Sequence, residues 1–167
     1  MAHLEGELLA DKPGEGAPSD YTTRPSMPSG GGGLVSTAED YLRFAQMLLN
    51  DGELDGVRIL APATVQLLTS NHLAPSLMMG EGFFMGPRAG LGWGYDCAVF
   101  PDPLQADEVV GKGTFFWLGA ADTWFWVDPT NDLIFIGMTQ RMLGVGWPNV
   151  EALSQPPVYQ ALLKPRM

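Results

Sequence analysis

Gly113-Thr-Phe-Phe-Trp-Leu-Gly-Ala-Ala-Asp-Thr-Trp-Phe-Trp-Val-Asp-Pro129 decides the fold. It reads as a strand over about 113–118, a pinch of small residues at Gly119, Ala120 and Ala121, a second strand over about 122–127, and a turn. A glycine inside a strand pattern marks a close approach by a ligand or by other main chain. Bulky aromatics flank this pinch on both sides, so the segment reads as the wall of a cleft. Of the aromatics, Trp124, Phe125 and Trp126 read as core. Downstream, Asp128-Pro-Thr-Asn-Asp132 is a turn that makes the strands over 122–127 and 133–139 antiparallel neighbours. Leu133-Ile-Phe-Ile136 lacks any apolar/polar alternation, which predicts cover on both of its faces.

Upstream, residues 1–32 are rich in Gly, Pro and Ser and read as a flexible arm ahead of a single domain over 33–167. Ser36-Thr-Ala-Glu39 predicts a capping box with Ser36 as N-cap. Ala38, Tyr41, Leu42, Ala45, Leu48 and Leu49 then fall on one face of a helix, which Asn50-Asp51-Gly52 stops. Asp55-Gly56 predicts a tight hairpin, and Pro62 opens a second helix through about Thr69. Residues 71–90 read as an irregular excursion, Leu91 to Phe100 as a strand, and Asp102 to Gly111 as an acidic loop. After Pro156-Pro157, Val158 to Leu163 predicts a short last helix. Helices first, an antiparallel meander, then a helix indicate an α+β fold, an antiparallel sheet with helices packed on its faces.

The chain has 167 residues, is 46% hydrophobic, and carries 19 acidic against 9 basic residues for a net charge of -10. This is enough apolar chain for one real core. The acidic balance, without any Lys/Arg cluster, argues against nucleic acid and against an anionic membrane surface. The first 20 residues carry five acidic side chains and do not read as a signal peptide, and no run approaches the roughly 18 apolar residues that span a bilayer. A soluble protein is expected, of unassigned compartment. Cys97 is the single cysteine and His3 and His72 the only histidines, so neither an internal disulfide nor a metal site is expected, and no cofactor. The glycines at 30–33 lack the Lys-Ser/Thr of a phosphate loop and read as a turn.

Taken together, Gly30-Gly-Gly-Gly-Leu-Val-Ser-Thr-Ala-Glu39 with its helix, Gly52-Glu-Leu-Asp-Gly-Val-Arg-Ile59, Gly90-Leu-Gly-Trp93 and Trp117 through Pro129 resemble the C-terminal half of the serine β-lactamase-like superfamily. The branch is that of class C β-lactamases, family VIII esterases and penicillin-binding-type peptidases. The resemblance implies that Trp117-Leu118-Gly119 corresponds to the third active-site motif, Lys-Thr-Gly or Trp-x-Gly, on an edge strand lining the site. It also implies that the backbone N–H of Ala120 completes the oxyanion hole. Elsewhere the loss of one such donor costs on the order of 3 kcal/mol. Lys112-Gly113-Thr114 holds the same residue types as Lys-Thr-Gly in scrambled order, but the register set by Trp126-Val-Asp-Pro129 excludes it. Leu118 replaces a small or hydroxyl residue, and Asp122 stands where many relatives have Gly, an awkward charge beside an oxyanion site.

The same chemistry requires Ser-x-x-Lys, a serine activated by a lysine one helical turn away. The chain has three lysines, Lys12, Lys112 and Lys164, and Leu9, Val109 and Ala161 stand three residues before them. None of the four tyrosines opens the second motif, Tyr-x-Asn or Tyr-x-Ser. In the family both motifs lie N-terminal to the region matched here. The expectation is therefore a C-terminal portion of a hydrolase acting on an ester or β-lactam ligand, inactive alone. The alternative is a non-catalytic module that binds a ligand or partner through the same cleft wall. Cys97 reads as a core residue and His72 as a surface or packing histidine. The resemblance also leaves the strand over 133–139 without its neighbour, which implies self-association or a complementing N-terminal half.

Overall fold

A computed structural model of the chain describes residues 2–4, 7–9, 34–78, 90–139, 150–164 and 166. Its centre is one five-stranded antiparallel sheet with a helix against each face, the expected α+β architecture. Within the stretch 1–32, two short strands, β1 (Ala2–Leu4) and β2 (Glu7–Leu9), pair antiparallel, where the sequence pattern gave no strand.

Helix α1 (Ala38–Leu49) starts one residue later than the capping box predicts. Thr37, not Ser36, is the N-cap: its hydroxyl oxygen accepts the Asp40 N–H at 3.1 Å. The shift places Asp40, rather than Glu39, at the third helical position, where its carboxylate also takes the Thr37 hydroxyl at 2.9 Å. Strands β3 (Glu53–Leu54) and β4 (Val57–Arg58) form the expected hairpin. Asp55 and Gly56 both hold positive φ, at 53° and 76°, as a two-residue hairpin turn of this twist requires. Helix α2 (Pro62–Leu68) opens on its proline, and α3 (Pro75–Met78) is a single turn.

The expected strand from Leu91 to Phe100 is instead a tight hairpin. β5 (Gly92–Trp93) and β6 (Ala98–Val99) pair with each other around a bend that holds Asp96 at φ 69° and closes with Gly94 N–H donating to Cys97 O at 2.9 Å. Beyond it come β7 (Phe115–Leu118), β8 (Thr123–Asp128) and β9 (Leu133–Met138), within a residue or two of the expected limits. The sheet order is β5-β6-β7-β8-β9, each strand antiparallel to the next. Helix α4 (Val150–Gln160) is much longer than expected and runs through Pro156 and Pro157, which the sequence reading had taken as its boundary.

The two faces of the sheet bury different sets. On one, Ala45 of α1 joins Cys97, Val99, Phe115 and Val127, with Leu48, Leu49, Phe125 and Ile134 around them. On the other, Tyr159 of α4 joins Ala98, Phe100, Phe116, Trp124 and Trp126. Trp126 is fully buried between Phe135, stacked at 4.2 Å, and Tyr159 at 6.5 Å. Full cover of Leu133 to Ile136 does not hold: all four are only partly buried, because β9 is the last strand and pairs with β8 alone among the described residues. No helix among the described residues is long and apolar enough to cross a membrane.

Candidate active site

The pinch at 119–121 is a hairpin loop. Gly119 N–H donates to Thr123 O at 2.7 Å, Asp122 N–H donates to Gly119 O at 3.0 Å, and Asp122 is left-handed at φ 60°. This is the bond pattern of a three-residue loop closed by a bulge, whose last loop position calls for positive φ. Glycine fills that position most easily, and aspartate is one of the few side chains that tolerate it. Aspartate here therefore keeps the backbone path that a glycine would take. The Asp122 carbonyl accepts both the N–H (3.2 Å) and the hydroxyl (2.8 Å) of Thr139, which ties the loop to the end of β9. At Gly119 a Cβ would stand 2.8 Å from Thr123 Oγ1, so any side chain there would require that hydroxyl to turn away.

Ala120 sits at the exposed crest of this loop, and its N–H enters no hydrogen bond among the described residues. Trp117 is half-buried, its ring edge-on to Trp93 at 4.8 Å and 88°. Across the ladder Trp117 faces Phe125, against which Tyr41 of α1 packs edge-on at 5.1 Å. Among the described residues the ladder between β6 and β7 spans only Phe115 and Phe116, so β7 is interior there and has no neighbour on that side at Trp117 and Leu118. The Trp-x-Gly segment thus lies at the open end of a strand, with an aromatic wall from Trp93 through Trp117 to Phe125 and Tyr41. Trp93 belonged to a matched stretch in the sequence, but nothing there assigned it a role beside Trp117.

The scrambled Lys112-Gly113-Thr114 lies at the far end of β7. Gly113 is in a turn at φ 82°, the Lys112 carbonyl accepts the Thr130 hydroxyl at 2.7 Å, and the buried Thr114 hydroxyl donates to Gly111 O at 2.7 Å. Its residues are committed to turn structure, as the register argument requires.

Neither alternative nucleophile candidate is prepared for that role. Cys97 is buried, its thiol directed at Leu68 O at 3.5 Å, and burial, reinforced by the charge of Asp96, pushes its pKa up to about 11. A thiol so shifted is protonated at neutral pH and a poor nucleophile. The same two causes raise the pKa of Tyr41. His72 is exposed, with Nε2 2.7 Å from Leu67 O and its ring 4.6 Å from Tyr95. Among the described residues no hydrogen bond joins Cys97 or His72 to Trp117, Gly119 or Ala120. Among the same residues no group of three or more His, Cys, Asp or Glu could hold a metal ion.

Asp128, read from the sequence only as a register mark, is the hub that holds this wall in place. Its fully buried carboxylate accepts Gly111 N–H (2.8 Å), the Asn131 side-chain amide (2.7 Å) and the Tyr159 hydroxyl (2.7 Å) on Oδ2, and Asn131 N–H (3.0 Å) on Oδ1. Asn131 in turn exchanges hydrogen bonds with the backbone of Arg166. The motif thus links the base of β7 and β8 to α4 and to the chain's last described residue. Asn71 does a similar job for β5, its Oδ1 accepting the Trp93 N–H at 2.9 Å.

Comparison with known proteins adds to this geometry. Residues 3–150 match the family described as Beta-lactamase. Protein Rv1367c of Mycobacterium tuberculosis (strain ATCC 25618 / H37Rv) and Uncharacterized protein MT1414 of strain CDC 1551 / Oshkosh are each 41% identical over 128 residues, 72% of this chain. The chain spans 31% of the length of each. Among solved structures, EstCE1, a hydrolase with promiscuous acyltransferase activity, superposes with a TM-score of 0.64 at 28% identity, over 79% of this chain and 32% of its own. A β-lactamase from Mycobacterium bovis, Mb2281c, shares the fold with a TM-score of 0.54 at 23% identity, over 77% of this chain and 43% of its own. With most of its length matched, and with hydrolases among the structures that share its fold, the chain belongs to the β-lactamase family, within the serine β-lactamase-like superfamily of hydrolases.

Proposed function

We propose that residues 33–167 supply one bank of an acyl-transfer site, the bank of Trp117, Gly119 and Ala120, and that the reactive Ser-x-x-Lys comes from polypeptide outside these 167 residues. The observation that carries this reading is the Ala120 amide, exposed at the crest of a closed loop and unused by any neighbour among the described residues. It is a backbone donor held by fixed hydrogen bonds, as stabilisation of a tetrahedral oxyanion demands. The substrate class is an ester or β-lactam carbonyl, attacked to give an acyl-enzyme. The acyl chemistry named for EstCE1 supports that class. By themselves the 167 residues do not turn over substrate, since donors without a nucleophile retain little catalysis.

Among the described residues β9 pairs with β8 alone, and that edge supports a partner for this bank. Leu133 to Met138 contains no charge and no proline, and such an edge invites a further strand, from a complementing N-terminal half or from a second copy.

The second reading, a non-catalytic module that binds a ligand or partner, is favoured by one observation. Asp122 puts a carboxylate on the loop that would hold the oxyanion. The test of both is an assay with a chromogenic short-chain ester and a chromogenic cephalosporin. Wild type alone is expected to be silent. Together with a polypeptide that restores Ser-x-x-Lys it should hydrolyse one of them, and Ala120→Pro should lower that rate by about 10²–10³. A restored pair that binds the ligand without hydrolysing it would favour the second reading.

A further inference from the structure

The chain contains two Asp-Gly steps, Asp51-Gly52 just after α1 and Asp55-Gly56 in the turn between β3 and β4. At such a step the backbone nitrogen can attack the preceding side-chain carboxyl carbon, and glycine offers no Cβ to hinder it. The two aspartates are alike: both are exposed, at φ 55° and 53°. Their peptide groups are not. Gly52 is buried, its N–H donates to Met47 O at 2.8 Å, and the Asp51 carbonyl of the same peptide accepts Arg58 Nη1 at 2.9 Å. An added Cβ at Gly52 would collide with the Leu60 carbonyl, so the space around it is filled. Gly56, by contrast, is exposed, its N–H enters no hydrogen bond among the described residues, and a Cβ there would meet nothing within 4 Å. Its hairpin has just two residue pairs, Glu53 with Arg58 and Leu54 with Val57. So short a ladder opens locally at low cost, which gives the turn the freedom that ring closure demands. One contact restrains Asp55: its Oδ2 lies 2.6 Å from Arg43 Nη2, in an ion pair exposed on both sides.

We propose that Asp55-Gly56 is a site of spontaneous isomerisation to isoaspartate, that the fold protects Asp51-Gly52 from the same reaction, and that Arg43 slows it at Asp55. Gly56 N forms a bond to Asp55 Cγ, and the amide proton leaves with the carboxyl hydroxyl as water. The result is a five-membered succinimide. Water then adds to one of the two ring carbonyls. Opening at Cγ restores aspartate. Opening at the main-chain carbonyl breaks its bond to Gly56 N, frees it as a carboxylate, and routes the chain through the Asp55 side chain. One water leaves and one returns, so the reaction is a rearrangement that needs no oxidant, cofactor or enzyme. The product is one methylene longer at the crest of a two-residue turn, whose tight geometry cannot absorb the insertion. Isomerised chains therefore lose the pairing of β3 with β4.

The experiment ages the full chain in mildly acidic buffer made with heavy-oxygen water, since each ring opening installs one labelled oxygen. Digestion with a glutamate-specific protease then separates the two steps, Asp51 onto the peptide of residues 40–53 and Asp55 onto that of residues 54–81, and fragmentation places label and isoaspartate at single residues. In the native protein Asp55 should gain both at least about tenfold faster than Asp51, whose peptide nitrogen is buried and hydrogen-bonded. In urea, where each step is a plain Asp-Gly, the two rates should agree within about twofold. Arg43→Gln should raise the native rate at Asp55 by a few-fold, up to about fivefold, the effect expected of an exposed ion pair, and leave the rate in urea unchanged. Circular dichroism and a thermal melt establish that the variant is folded. Equal native rates at the two steps overturn the proposal. So does a preference for Asp55 that persists in urea, because it would then belong to local sequence and not to the fold. A native rate that Arg43→Gln leaves unchanged or lowers overturns it as well.

Discussion

The Tyr159 hydroxyl donates to Oδ2 of Asp128 across 2.7 Å, and through that bond the last helix is fastened to the turn between β8 and β9. Both groups are buried, and the same carboxylate oxygen receives Gly111 N–H and the Asn131 amide. A charge held in this way is satisfied by neutral donors alone, so each donor carries weight.

Tyr159→Phe should therefore cost about 1.5–3 kcal/mol, read from urea unfolding at pH 7. The effect also has a sign in pH. Burial first, and the hydrogen bond to Asp128 second, raise the Tyr159 pKa above 10.0. The folded state keeps its proton after the unfolded state has lost it, so this stabilisation is complete below pH 10 and declines as pH rises further. Wild type should lose stability between pH 7 and about pH 10.5 more steeply than the phenylalanine variant. Equal slopes would show that Tyr159 does not titrate as described.

Gly111→Ala tests the other side of the hub. An added Cβ would collide with the Asp128 carboxylate and press on Asn131. Overpacking of a buried site predicts a loss of about 2–3 kcal/mol, visible as a lower melting temperature. An unchanged melt would mean that the hub yields where the packing says it cannot.

The loop at 119–122 makes a conformational prediction. Asp122→Gly should leave stability within about 1 kcal/mol of wild type, since relief of the left-handed backbone opposes the added chain entropy of glycine. Asp122→Val should cost about 1–2 kcal/mol, because a branched Cβ suffers most at φ 60°. Denaturant titration of the two variants separates them.

Cys97 should behave as a core residue. A shift from 9.0 to about 11 lowers its thiolate fraction about a hundredfold at pH 8. Alkylation by iodoacetamide should be slow in the native protein and fast in urea. The raised pKa also withdraws stability as pH climbs from 9.0 through about 11, in the same direction as Tyr159.

Much of this was legible in the sequence because local chemistry and fold agree. Asp55-Gly56, Pro62 and the run from Phe115 to Met138 each combine a turn signal with strand or helix periodicity, and the structure follows them. The errors fall where local signals compete. Gly92 and Gly94 were read as weak points in one strand, but with Asp96 able to turn left-handed they lie in the first arm and in the bend of a hairpin. Pro156-Pro157 was read as a break, yet α4 continues through the pair, with Ala161 N–H reaching Pro157 O at 3.2 Å. At the candidate site, Trp117, Gly119 and Ala120 could be named because a motif has a fixed order. Trp93 and Asp128 could not, because their roles arise from contacts across strands far apart in the chain.

The corners of this molecule carry one further consequence. Among the described residues every non-glycine amino acid with positive φ is an aspartate: Asp51, Asp55, Asp96, Asp107, Asp122 and Asp132. Six of the 19 acidic residues are thus accounted for by how the polypeptide bends. Asparagine accepts the same bends without the charge, so an engineer could raise the isoelectric point at Asp51, Asp107 and Asp132 and leave the architecture untouched.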